Sequence, residues 1–355
     1  YYPTTTRLNV PRVDYLNNTN GSLLLEPQRT NLVTQSEDFS QWVASNLTIT
    51  ADNVTSPDGT LNASKIEMTG NGSIRSISEL TFNNAYTYSI FVKKGNSRYV
   101  TLRSAFFTTS IVVGFDLDTL TAQTDGTIED YGNDWYRLSI SKNISVDADK
   151  SGFFYLYLPN SLGSQTSVSG NYNYFYGGQI EDSSYATSYI PTSGTTVTRL
   201  ADTCATTGLS DVIGQTEGVL YTELSRFEAS GDYATLGIGD AAGNNEVVFK
   251  FRNYTDVFYA TIRSSNGSTR TDLNYTFSDL TQNTKIALKY KVNDFALWVN
   301  GVEVATSNNA NSPIGMNRFS FSAATNSEPF LGNVQNLQIF KTALTDTELA
   351  TLTTI

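Results

Sequence analysis

Residues 285–305 read KIALKYKVNDFALWVNGVEVA. In Lys285 to Val292, apolar Ile286, Leu288, Tyr290 and Val292 alternate with lysines and Ala287, the period of a half-buried strand. Phe295 to Val299 (FALWV) follows across Asn293-Asp294, and Val302 to Ala305 follows across Asn300-Gly301. Asn-Gly is a strong hairpin signal, because both residues tolerate the positive φ angles of a type I′ turn. The stretch therefore reads as a three-stranded antiparallel meander.

The same pattern extends in both directions. Gly218 to Leu224 (GVLYTEL), Glu246 to Phe251 (EVVFKF) and Phe258 to Arg263 are short apolar-rich runs, as are Tyr86 to Lys93 (YTYSIFVK), Tyr99 to Arg103 and Trp135 to Ser141 (WYRLSIS). Turn clusters such as Lys94-Gly95-Asn96 and Gly132-Asn133-Asp134 separate them, as in a β-sandwich. One helix start stands out: Thr345, with acidic residues in the turn after it, caps Asp346 to Leu352. The fold class expected is all-β, two antiparallel β-sandwich (jelly-roll) domains in tandem.

A chain of 355 residues exceeds one ordinary core, which supports two domains. Residues 1–30, turn-rich with Pro3, Pro11 and Pro27, read as an N-terminal connector that docks on the domain after it, with Ser22 to Glu26 able to pair as a short strand. Residues 31–190 form the first sandwich, 191–202 (with Pro191 and Gly194) a linker, and 203–355 the second sandwich. Tyr1 follows neither an initiator Met nor a signal peptide, so the chain is expected to be part of a longer polypeptide or a processed product.

Composition excludes several classes of function. A formal charge of −11 without a Lys/Arg stripe argues against nucleic acid as a partner. No apolar run approaches the roughly 18 residues that insert into a membrane. Histidine is absent, which removes Ser-His-Asp and Cys-His catalysis and the usual zinc sets. The single cysteine, Cys204, forms no intrachain disulfide and is expected to be buried. A glycosidase needs only two carboxylates, and the nearest approaches to a pair are Glu217 with Glu223 and Glu181 with Asp182. Neither forms the Glu-x-Asp-x-x-Glu strand of concanavalin-like enzymes, so the chain is read as non-catalytic.

Leu23 to Trp42 (LLLEPQRTNLVTQSEDFSQW), Ser56 to Thr60 (SPDGT) and Gly177 to Arg199 (GGQIEDSSYATSYIPTSGTTVTR) together resemble a module common in tailed-phage structural proteins, itself similar to carbohydrate-binding jelly rolls. The resemblance covers most of residues 7–200. Phe330 to Leu349 (FLGNVQNLQIFKTALTDTEL) and the hairpin Ala296 to Ala305 resemble a laminin-G or concanavalin-like lectin domain. The two resemblances imply a virion appendage (tail fibre, spike or head fibre) at the virion surface or an extracellular location. Its implied partners are bacterial surface polysaccharide and other virion proteins, and it is expected to be a homo-oligomer, a trimer by analogy with fibres, although no heptads enforce one. Two alternatives remain open: a decorating virion protein without a glycan site, and an extracellular bacterial adhesin or accessory of a polysaccharide-degrading enzyme.

Sugar binding requires aromatic surface flanked by polar groups. Alternation places Tyr155 with Tyr157, and Tyr172 with Tyr174 and Tyr176, each on one strand face, which is either core or binding surface. Trp42, Trp135 and Trp298 are expected in the core. In the second domain Asn253, Tyr254, Asp256 and Tyr259 are candidates for a loop-end pocket. The jelly-roll resemblance also implies a structural Ca2+ between the first and last strand regions, with Glu37, Asp38, Glu181 and Asp182 as contributors by position.

Overall fold

The computed structural model describes residues 11–16, 19–79, 84–105, 110–144, 151–227, 233–252, 257–264, 268–308, 311–324 and 326–355. The fold is all-β. Among the described residues the helical segments are a 3-10 turn, Phe39–Gln41, and one α-helix, Asp346–Thr353. No helix there is long and apolar enough to cross a membrane. The chain divides into two compact units, one containing residues 28–200 and the other residues 10–27 and 201–355.

In the first unit one hydrogen-bonded path runs Gly126–Asp130, Trp135–Ile144, Asn84–Lys93, Tyr172–Asp182, Leu61–Glu79, Ser151–Tyr157, Tyr99–Ala105, Ser110–Asp116, Thr121–Ala122. Leu61–Glu79 belongs to both halves of this path. Its residues 64–67 pair with Tyr172–Asp182, and its residues 74–79 pair with Ser151–Tyr157. Apolar residues of both halves, including Ile66, Ile74, Tyr88, Ile90, Leu102, Phe115, Leu138, Phe154, Leu156 and Phe175, share one core. Because Phe154 and Leu156 point into it, alternation turns Phe153, Tyr155 and Tyr157 to the opposite face.

The other face of the first half is covered as well. Phe91, Trp135, Tyr176 and Tyr189 pack there as a second cluster. Asn31 ties the chain's early and late segments together over it, its amide donating to the carbonyls of Gly178 and Ile190. The segment read as a linker is partly knitted into this unit: Val197–Arg199 pairs with Arg29–Asn31, and Thr192 is buried against Ser36.

The second unit is a two-sheet sandwich. Its seven-stranded sheet runs Arg12–Asp14, Ser22–Leu25, Gly332–Phe340, Glu217–Arg226, Thr284–Lys291, Phe295–Val299, Val302–Ser307. Its six-stranded sheet runs Ala205–Thr207, Arg318–Ser320, Ala234–Gly239, Glu246–Phe251, Val257–Ser264, Thr269–Thr276. Leu220, Leu236, Phe249, Phe258, Leu288 and Leu297 fill the space between the sheets. Asn300 (φ 49°) and Gly301 (φ 86°) make the positive-φ turn that their sequence signals. The helix carries the Thr345–Glu348 capping box and sets Leu349 against Val219, Tyr221 and Trp298 on the outer face of the larger sheet.

Part of the segment read as a connector is woven into this larger sheet, since Ser22–Leu25 pairs with Gly332–Phe340. Arg12 anchors it by pairing with Glu26 and Asp202. Trp42, Trp135 and Trp298 are core residues. Cys204 is exposed rather than buried, as one residue before a short edge strand whose burial pattern is exposed throughout. Partial burial raises its thiol pKa, the opposite of activation.

Candidate functional site

The outward face of the second half of the first unit carries an aromatic ridge. Phe153, Tyr155 and Tyr157 succeed one another at every second residue, with ring centroids 6.1 Å apart for the first pair and 5.9 Å for the second. Tyr155 and Tyr157 lie nearly parallel, at 18°. The register places Arg75 and Arg103 directly opposite Tyr155 on its two neighbouring strands. Their guanidinium carbons lie 5.6 and 5.5 Å from the Tyr155 centroid, and that of Arg75 lies 4.0 Å from the Phe153 centroid.

Tyr155 is the half-buried centre of this face, whereas Tyr157 is only 8% exposed and supports it from one side. Arg103 is held by its bonds to the Tyr157 hydroxyl and to Ser110 Oγ (3.2 Å). Below Tyr157 the loop after the aromatic strand folds back over the sheet. A Cβ at Gly114 would lie 2.2 Å from the Gly163 nitrogen, so only glycine admits that approach. Leu162 stands exposed at this end of the face, and Val43 stands exposed beside Arg75. The arrangement supplies apolar ring surface flanked by two planar guanidinium forks, a combination that grips polar, hydroxyl-bearing ligands with an apolar side.

Tyr172 and Tyr174 are not part of this ridge. They register with Glu67 and Lys65 on the first half of the long strand, whereas Tyr155 registers with Arg75. Ten residues separate Lys65 from Arg75, roughly 30 Å of extended chain. Their rings meet edge-to-face at 5.8 Å, and Lys65, bonded to Glu67, sits 4.1 Å from the Tyr172 centroid. Tyr176, third in that alternation, is fully buried.

In the second unit Tyr259 is half-buried on the six-stranded sheet, opposite Lys250 and Asn274. Lys250 there is held by Glu246 at 3.0 Å. Asn253, Tyr254 and Asp256 lie outside the described residues. An open polar hollow of ≈ 290 Å³ on the larger sheet is lined by Lys289, Glu303, Asp294 and Asp346, with Lys289 already paired to both aspartates.

The four carboxylates assigned to calcium do not converge, and among the described residues no three acids, histidines or cysteines form a metal-sized group. Asp38 caps the 3-10 turn through Ser40. Glu181 is fully buried, with its oxygens accepting from the Thr187 N–H and hydroxyl. Asp182 is exposed. Glu37 alone meets a second acid, Asp58, to which no sequence spacing connects it. The hydroxyl of Tyr176 lies 3.2 Å from Glu37 and 3.0 Å from Asp58, Tyr189 donates to Glu37 at 3.0 Å, and the Asn62 amide faces both acids.

Two carboxylates meet hydroxyl and amide groups here, and the hydrogen bonds they accept stand where calcium would take 6 to 8 oxygen ligands. Thermal melts with calcium and with chelator are expected to coincide. A rise of several degrees in calcium would show an ion site.

Burial raises the Glu37 pKa, with Asp58 adding to it, while hydrogen bonds from Ser56 and Thr60 hold Asp58 below its ordinary value against desolvation. An acid whose folded pKa is raised binds its proton more tightly when folded, so its contribution to stability falls as pH rises from the ordinary carboxylate value through the raised one. Glu37→Gln removes that slope. The melting temperature of the variant minus that of the wild type is therefore expected to increase from about pH 4.5 to pH 7. A difference independent of pH would contradict the placement of Glu37.

No carboxylate pair of the second unit has glycosidase spacing on the strand singled out by sequence. Glu217 and Glu223 lie six residues apart on Glu217–Arg226, roughly 20 Å along a strand, against about 5 to 9.5 Å for a catalytic pair. Glu217 faces Lys291 at 3.5 Å, and Glu223 accepts from Asn283 at 2.6 Å.

The two-sheet architecture and terminal helix of the second unit agree with the family comparison. Residues 225–350 match the concanavalin A-like lectin/glucanases superfamily. No curated protein matches the sequence. Among solved structures, the CBM40 domain of the Ruminococcus gnavus IT-sialidase is 18% identical, with 39% of this chain and 84% of that chain covered and a TM-score of 0.35. Domain 4 of AbnA, a GH43 extracellular arabinanase from Geobacillus stearothermophilus solved with arabinotriose, is 17% identical over 45% of this chain and 73% of that one, at TM-score 0.34. Mouse laminin α1 domains LG4-5 cover 96% of both chains at 12% identity and TM-score 0.29. At these scores the likenesses carry no argument about ligand or activity.

Proposed function

We propose that this chain is a non-catalytic glycan-recognition protein of a virion appendage, and that it binds host-surface polysaccharide through the Tyr155 face of the first unit. The observation that carries the reading is the stacked Tyr155–Tyr157 pair with Arg75 and Arg103 beside it on a sheet face that the core does not use. The superfamily match of residues 225–350 supports a lectin-like second unit. The phage-module resemblance of the blocks 23–42, 56–60 and 177–199 supports the virion setting, contacts with other virion proteins and an oligomeric state.

The test is a glycan array together with host-envelope preparations probed with the whole chain. Saturable binding to saccharide is expected, without release of reducing sugar. Failure to bind any saccharide or envelope fraction would favour a decorating role, and sugar release would point to an enzyme. Detection of the chain in purified virus particles tests the setting separately.

A further inference from the structure

The Tyr155 face carries two arginines that have no acid partner among the described residues. In a chain of net charge −11, some arginines pair with acids, as Arg12 with Glu26 and Asp202, Arg98 with Asp116, Arg252 with Glu328 and Arg270 with Asp272, and others such as Arg29 and Arg318 have neutral acceptors. Arg75 and Arg103 differ from these in flanking one half-buried ring. Among the described residues neither has a carboxylate partner, and their contacts are the aromatic rings, Ser110 and the Tyr157 hydroxyl. The Arg75 Nη1 is shielded from solvent and has no hydrogen-bond acceptor.

The acid whose side chain is described on this sheet face is neutralised. Asp116 lies opposite Tyr99, and its two oxygens take bonds of 2.6 to 3.1 Å from Arg98. Among the described residues the ridge therefore carries two positive charges without a carboxylate partner, on neighbours of one strand. Adjacent strands lie about 4.8 Å apart, so the two arginine backbones stand roughly 10 Å from each other with Tyr155 between them. Guanidinium forks present parallel N–H donors that match the two oxygens of a carboxylate, and a ring beside them contacts an apolar ligand surface.

We infer that the glycan taken by this face is acidic, a polymer carrying sugar carboxylates, with Arg75 and Arg103 as the anion donors and Tyr155 as the apolar platform between them. This rests on the glycan-binding reading and narrows it to a chemical class. Neutral polysaccharide leaves both forks facing hydroxyls alone, which form weaker bonds than an ionised acceptor.

The experiment is affinity electrophoresis of the whole chain in gels containing polygalacturonate, alginate or hyaluronate, each beside its carboxyl-reduced neutral counterpart, at low and at high salt. Retardation by an acidic polymer is expected. It should weaken about tenfold or more on carboxyl reduction and in the Arg75→Gln/Arg103→Gln variant, and should weaken with salt. Circular dichroism melts confirm that the variant is folded, and single variants serve if the double one is not. Equal retardation by the acidic and reduced polymers would overturn the acidic preference and leave glycan binding standing. Undiminished binding of acidic polymer by the folded arginine variants would overturn the assignment of these arginines. Binding to no polymer, acidic or neutral, would overturn the inference and the glycan-binding reading together.

Discussion

Tyr155→Ala is expected to weaken saccharide binding by roughly thirtyfold or more, the about 2 kcal/mol typical of a central aromatic contact. Tyr155 is the ring from which the rest of the face takes its positions. Tyr157 stacks on it from one side, Phe153 packs against it at a tilt of 55° from the other, and Arg75 and Arg103 flank it across the strands. Its removal takes away apolar contact area and frees two long side chains to move, so loss of ligand contact and loss of ordering act in the same direction. The core should tolerate the change, because Phe154 and Leu156 hold the strand from the other face. Tyr155→Phe keeps the ring and should retain most binding. Calorimetric titration of both variants tests this: an alanine variant that binds as the wild type does would remove Tyr155 from the site.

The largest stability effect is expected at Arg137. This side chain is 2% exposed and donates to the Thr187 carbonyl at 2.7 Å and to Ser89 Oγ at 2.9 Å. Its charge also lowers the pKa of fully buried Glu181, although desolvation outweighs it and the pKa remains raised. Arg137→Met leaves two buried acceptors, the Thr187 carbonyl and Ser89 Oγ, without their donor and removes a positive charge that acts on Glu181, which together cost about 3 kcal/mol or more, or on the order of 10 °C for a unit of this size. The pH sign follows from the raised pKa. Without Arg137 the carboxyl gains further advantage from its proton in the folded state, so the deficit of the variant grows as pH rises above the ordinary carboxylate range and shrinks below it. Adding Glu181→Gln should recover part of the loss. Denaturant unfolding of the single and double variants at pH 4.5 and pH 7.5 measures this, and a single variant as stable as the wild type at both would refute this role of Arg137.

The elements of the fold were legible wherever periodicity and turn chemistry agree locally. Phe295–Val299 has the bounds its sequence pattern predicts, Asn300-Gly301 turns as expected, and Thr345 caps the helix. Alternation also showed that Tyr155 and Tyr157 share a face. What it left open was which face is core, and the structure resolves this through Phe154 and Leu156. Arg75 and Arg103 were not legible, because they reach Tyr155 only through the pairing of strands far apart in sequence, and register between distant strands leaves no local mark. The joining of Glu37 to Asp58 depends on the same kind of long-range placement, brought about by Tyr176 and Tyr189. Cys204 was misplaced because its small apolar character suits a core, whereas its neighbours form an exposed edge.

The most direct measurement of the binding face is hydroxyl-radical footprinting of the whole chain with and without a bound acidic polysaccharide, read by mass spectrometry at individual tyrosines. Protection concentrated at Tyr155, and to a lesser degree at Phe153 and Leu162, is the predicted result. Protection at Tyr172 and Tyr174, or at Tyr259, with Tyr155 unchanged, would place the ligand elsewhere and contradict the account.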